Sequence, residues 1–249
     1  LQYSYLNSPL ALLVEADYGR DVARALFAEI YGYWTELPAE RRPRLYLHGL
    51  SLGALHSQRS WELHELLGDP IHGALWSGPP FRSDLWRTLT DSRDPDSPEW
   101  RPRFRDGRFV RFMNQQGTAE PADAPWGPMR LLYLQYASDP ITFFDHRYAW
   151  RRPDWLAEPR GPDVSPSLRW FPLVTMLQLA VDMAVTTPTP PGYGHVYAPA
   201  DYVDAWRLVS SPPGWNADAL QRLKLQLTHE QARAGEQDSN EAAYDNRGG

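Results

Sequence analysis

The sequence contains no cysteine. That excludes disulfides, thiol catalysis and cysteine-ligated metals together, and leaves the redox compartment open. Lysine is nearly absent. Lys224 is the only one and every other cationic side chain is an arginine or histidine, which reads as the codon bias of a GC-rich genome. Positive charge is also short overall, with a net charge of -6 over 249 residues. Such a chain lacks the basic surface that a phosphate backbone requires, so no nucleic-acid partner is expected. A long uninterrupted apolar run is missing too. The longest, residues 170–185, is broken by Pro172, Gln178 and Asp182. It reads as a buried helix, and no segment reads as a signal peptide or a membrane span. There is no initiator methionine, and the opening inside a strand-like segment leads us to expect upstream sequence that has been cut away.

What is present points to one large domain. The length supports one substantial core rather than two. Eleven tryptophans and 24 prolines suggest long, ordered, aromatic-rich loops. Strand patterns fall at 1–6 (LQYSYL), 44–49, 71–76, 108–113 and, most strongly, 129–136 (MRLLYLQY). Helical spacing falls at 17–37, 51–67, 83–90, 168–186, 202–209 and 217–232. Residues 117–128 read as a loop. The polar tail, 233–249, is expected to be disordered, leaving 1–232 as the catalytic domain. Strands alternating with helices imply an α/β fold, a mainly parallel sheet flanked by helices, with reactive groups at the carboxyl ends of the strands.

The chemistry centres on Gly49-Leu50-Ser51-Leu52-Gly53. By composition a G-x-S-x-G string occurs by chance in about one chain in ten of this length. Its context raises its weight, because a strand feeds it and a helix leaves it, as a nucleophile elbow demands. The two glycines are expected to let strand and helix approach closely. Ser51 would then sit strained at the tip with its hydroxyl exposed, and the Leu52 N–H would be one oxyanion donor. A serine hydroxyl needs a base, and the base needs an orienting carboxylate. Asp139, directly after the strongest strand, fits the acid. Its competing reading is an Asx turn before Pro140. His195, in Gly192-Tyr193-Gly194-His195, fits the base as the only late histidine in a glycine-rich loop. His48 is expected to point into the sheet, and His56, His64, His72, His146 and His229 fit less well. Asp145 and Asp163 are fallback acids. The aromatic stretch 143–170 is either a pocket wall or core packing. No histidine–carboxylate cluster has metal-ligand spacing and no glycine loop suits a phosphate, so no metal and no cofactor are expected.

These motifs carry a resemblance. The segments GALWSGPP (73–80), RRPDWLAEPRGPDVSP (151–166), RWFPLVT (169–175) and GYGH (192–195), with QYSYL (2–6) and RPRLYLHGLSLG (42–53), resemble a family of α/β-hydrolase domains of high-GC bacteria. In that family the domain often follows several membrane spans. The resemblance covers roughly residues 1–210. It implies an α/β-hydrolase fold lacking its N-terminal strands here, a second oxyanion donor from that upstream region, and membrane association through a region absent from this chain. Two departures stand out. Leu50 fills an elbow position that is acidic in the family, and no clear strand precedes His195.

The resulting expectation is a serine hydrolase. It would cleave a small-molecule ester or a lipid through an acyl-enzyme, with Ser51 as nucleophile, His195 as base, Asp139 as acid and Leu52 in the oxyanion hole. An acyltransferase using the same triad, and a non-catalytic binding or interaction domain on the same scaffold, are the rivals.

Overall fold

The computed structural model describes residues 18–121, 123–184 and 189–245. The strand expected at 1–6 lies outside them. The described helices are α1 (Tyr18–Glu36), α2 (Leu52–Gln58), α3 (Asp84–Asp91), α4 (Pro140–Phe143), α5 (Val174–Ala184), α6 (Pro199–Ser210) and α7 (Ala217–Asp245). The strands are β1 (Tyr46–Leu50), β2 (Gly73–Ser77), β3 (Val110–Asn114), β4 (Gly117–Thr118) and β5 (Arg130–Leu134), and they form one sheet in the order β1-β2-β5-β3-β4.

Four of these strands are parallel, and only the two-residue β4 runs antiparallel, against β3. The register places Leu50, Ser77, Leu134 and Met113 side by side. The carboxyl ends of the four parallel strands therefore share one edge, the edge at which sites gather in open α/β sheets. The β2 strand (GALWS) is buried along its whole length, as a central parallel strand covered on both faces must be. One face of the sheet packs Trp76, Phe112 and Tyr133, with Phe112 and Tyr133 stacked at 5.1 Å. The other packs Leu75, Leu132 and Leu134 against Ala205 and Val209 of α6. Among the described residues β1 pairs with β2 alone, and no helix is long and apolar enough to cross a membrane.

Several boundaries depart from the sequence pattern for identifiable reasons. The helix expected over 51–67 stops at Gln58. The Ser60 hydroxyl bonds back to the Ser57 carbonyl at 2.8 Å, a local bond that competes with helix propagation, and Trp61 stacks over Trp76. The helix expected from 168 begins only at Val174, because Pro172 has no N–H and Leu173 sits at φ 62. The Phe171 N–H is taken up by the Thr175 hydroxyl at 2.9 Å. The helix expected to end at 232 continues to Asp245, so the expected disordered tail is helical for most of its length. Its Ala, Glu, Gln and Arg content favours helix even without an apolar face. Residues 117–128, read as a loop, contain β4.

The missing strand before His195 also has an explanation. The edge beyond β5 is occupied by β3, which precedes β5 in the chain and crosses to its far side. A strand after β5 would have no parallel position left next to it.

Candidate active site

The turn from β1 into α2 is built around one glycine. A Cβ on Gly49 would lie 2.3 Å from the Gly53 carbonyl carbon and oxygen and 2.5 Å from the Ala54 nitrogen. No side chain fits there. Gly53 differs from the sequence expectation, since a Cβ on it would meet nothing within 4 Å. Its part is to be the backbone that Gly49 approaches. Ser51 caps α2 at φ 57, ψ -123, a conformation that costs a non-glycine residue roughly 1–3 kcal/mol. Two backbone bonds hold it: Ser51 N–H donates to the Ser77 carbonyl at 3.0 Å, and the Ser51 carbonyl accepts from Leu55 N–H at 3.1 Å. Leu52 supplies the first amide of α2, one of those a helix leaves without an intrahelical acceptor. Its side chain anchors the turn in an apolar cluster with Leu55, Ile141, Met183, Phe81 and Phe144.

Asp139 follows β5 and is completely buried. Its two carboxylate oxygens serve different partners. Its Oδ1 accepts from Ile141 N–H at 2.9 Å, the Asx-type cap of α4. Its Oδ2 accepts from three side chains: His195 Nδ1 at 2.8 Å, the Tyr197 hydroxyl at 2.8 Å and the Thr142 hydroxyl at 3.2 Å. A carboxylate can only accept, so Nδ1 carries the proton and Nε2 is the basic nitrogen of the neutral ring.

The His195 side chain is 24% exposed, yet Nε2 itself is buried and has no hydrogen-bond partner. The Ser51–His195 hydrogen bond is therefore not formed in this structure. The two residues nonetheless converge on one strand end. Ser51 is bonded to Ser77, and a Cβ on the next residue, Gly78 at φ +50, would lie 2.6 Å from His195 Cε1. Burial pushes the His195 pKa down. The charge of Asp139 and its hydrogen bond push it up and prevail, so the imidazole titrates above its ordinary value.

The other residues considered from the sequence fall elsewhere. His48 is exposed rather than turned into the sheet interior, with Nδ1 2.9 Å from the Leu75 carbonyl and its ring against Tyr202 and Trp206. His56 is buried against Gly19 of α1. His72 Nδ1 accepts from Leu45 N–H. His146 and His229 are exposed. Asp145 is engaged by Arg147, and it caps the short 3-10 turn His146–Ala149. Asp163 binds Ser138. Sequence reasoning missed Gly78, Thr142, Tyr197 and Ser138. Of these only Gly78, beside Pro79-Pro80, carried a local signal, and that signal marked a turn.

A mainly parallel α/β sheet with a strained serine at a strand–helix turn, and a histidine bonded to a buried aspartate at the same edge, is the arrangement of the α/β-hydrolase class. The sequence comparison agrees: residues 1–223 match the alpha/beta-hydrolase family, and the chain belongs to that family. No curated protein and no solved structure matches the chain.

Proposed function

We propose that this chain is a serine hydrolase that cleaves a carboxylic ester through an acyl-enzyme. The observation that carries the reading is the His195 imidazole, fixed by Nδ1 on a buried carboxylate with Nε2 left without a partner at the strand end that also holds Ser51. Nε2 takes the proton of the Ser51 hydroxyl as its oxygen attacks the ester carbonyl. The electron pair moves onto the carbonyl oxygen, and the Leu52 N–H lies at the helix end that receives it. Collapse expels the alcohol, protonated by His195, and leaves an acyl-serine. Water attacks this ester with the same imidazole as base, releasing the acid and Ser51. The gap between Ser51 and His195 closes when substrate binds, as such contacts commonly tighten in the reactive complex.

The test is a fluorophosphonate probe with ester turnover on the folded chain. Wild type is expected to be labelled on Ser51. Ser51→Ala and His195→Gln are each expected to lose about 10⁴-fold or more in turnover, because the two act as a unit. Undiminished esterase activity in Ser51→Ala overturns the reading. Absence of labelling in wild type favours a binding domain instead. An ester formed with an added alcohol, in place of free acid, identifies an acyltransferase using the same residues.

A further inference from the structure

The segment Gly161-Pro162-Asp163, singled out in the sequence and left without a role by the chemistry above, lies against the carboxyl end of β5. A Cβ on Gly161 would sit 2.2 Å from the Ala137 side chain. Only glycine lets this turn reach the strand end. The approach brings the Asp163 carboxylate to Ser138, the neighbour of Asp139. Asp163 Oδ2 accepts both the Ser138 N–H at 2.7 Å and the Ser138 hydroxyl at 2.5 Å. With its proton directed at Asp163, the Ser138 oxygen is free to accept, and it accepts the Gly194 N–H at 2.8 Å. Gly194 immediately precedes His195.

The rest of the loop needs such a hold. Gly192 and Gly194 lie at φ +92 and +55, and among the described residues the loop has an isolated bridge between Tyr193 and Val196 in place of a strand. Among the described residues a further side-chain tether on its backbone is Gln115 Nε2 donating to the Gly192 carbonyl at 2.6 Å. Ser138 thus ties the segment bearing the acid to the backbone of the loop bearing the base, beside the His195–Asp139 bond itself.

We propose that Asp163 is a positioning residue for His195, acting through the Ser138 hydroxyl. It fixes the direction of that hydroxyl, the hydroxyl fixes the Gly194 amide, and the amide sets the imidazole at bonding distance from Asp139. The assignment deepens the hydrolase reading and rests on it for its catalytic consequence. The geometric claim about His195 stands without it.

The experiment therefore has two arms. In the first, His195 is titrated by NMR on histidine-labelled full chain, its resonance assigned by its loss in His195→Gln. The titratable groups set against the imidazole are Asp139 on Nδ1 and the Tyr197 ring at its edge, neither of which is altered. Ser138→Ala and Asp163→Asn are expected to lower the titration midpoint by about half a pH unit or more, because the Asp139 bond that raises it loosens. Ser138→Thr keeps the hydroxyl and is expected to leave the midpoint in place. In the second arm, fluorophosphonate labelling of Ser51 is expected to slow about tenfold in the same two variants with the probe's saturation constant unchanged, the signature of lost positioning. An unmoved midpoint in folded Ser138→Ala overturns the proposal, whether or not Asp163→Asn folds. Midpoint shifts in the two variants together with no Ser51 labelling in wild type overturn the hydrolase reading and leave the clamp standing.

Discussion

At the scale of single residues the site depends on how one carboxylate oxygen is shared. Asp139 Oδ2 receives three donors, and it has no exposure to water through which to replace a lost one. Tyr197 is also buried, and burial followed by the nearby Asp139 charge pushes its hydroxyl well above the usual phenol value. It therefore stays a donor across the whole working pH range. Removing it should have two measurable effects. Tyr197→Phe is expected to destabilise the fold by roughly 1–3 kcal/mol in urea melts, since a buried acceptor loses a partner. It should also move the acid limb of the kcat/KM profile upward, because a carboxylate with one donor fewer holds the imidazolium more strongly. In wild type that limb is expected above the ordinary imidazole value of about 6.5. The sign follows from the mechanism: the base works only when neutral, and Asp139 favours its charged form. A limb below 6.5 in wild type would contradict the His195–Asp139 geometry.

At the scale of elements, the elbow shows what was legible and what was not. Strand, motif and helix could all be read around Ser51, because a tight strand-to-helix turn leaves a mark in local sequence. The division of labour between the two glycines could not, since it depends on which backbone approaches which. Gly49→Ala is expected to unfold the domain or cost more than about 3 kcal/mol, as its methyl would enter the backbone of α2. Gly53→Ala meets open space within a helix, and should be neutral or stabilising by up to about 1 kcal/mol. Thermal melts of the two variants separate these outcomes, and equal losses would mean the turn is built otherwise. The order of β3 and β5 was equally hidden. Periodicity at 108–113 and 129–136 identified two strands, but their crossed placement, with Phe112 stacked on Tyr133, rests on tertiary packing that no local pattern records. The late start of α5 was visible in Pro172 and outweighed by the apolar run around it. Asp139 and His195 could be named from chain order, whereas Tyr197, Thr142 and Ser138 reach the site only through the fold.

At the scale of the whole molecule, several acidic groups are held away from water, and they make stability depend on pH. Burial raises Glu99, assisted by the Asp154 charge, to about 7. Burial likewise raises Glu120 and Asp201. Asp94 and Asp145 go the other way: burial raises each, but hydrogen bonds, first of all from Arg103 and Arg147, outweigh it. For a carboxyl group whose folded pKa exceeds its unfolded value, the native state binds the extra proton. Its contribution is complete below the unfolded pKa and disappears as pH rises through the folded one. Glu99, moving from 4.5 to about 7, is thus worth on the order of 3 kcal/mol at pH 4 that is gone by pH 8. His195, also raised, loses its contribution above the ordinary imidazole value and adds to the same slope. Stability is therefore expected to be greatest on the acid side of neutrality, at a pH still high enough to keep Asp94 and Asp145 ionised. On the proposed mechanism the base works as neutral His195, so activity should peak on the alkaline side. Urea melts at pH 5 and pH 8 measure the first, and Glu99→Gln, which cannot ionise, should remove most of the difference between them. A wild-type chain equally stable at both pH values would mean that Glu99 carries its charge in the folded state, supplied with a counter-charge or with water.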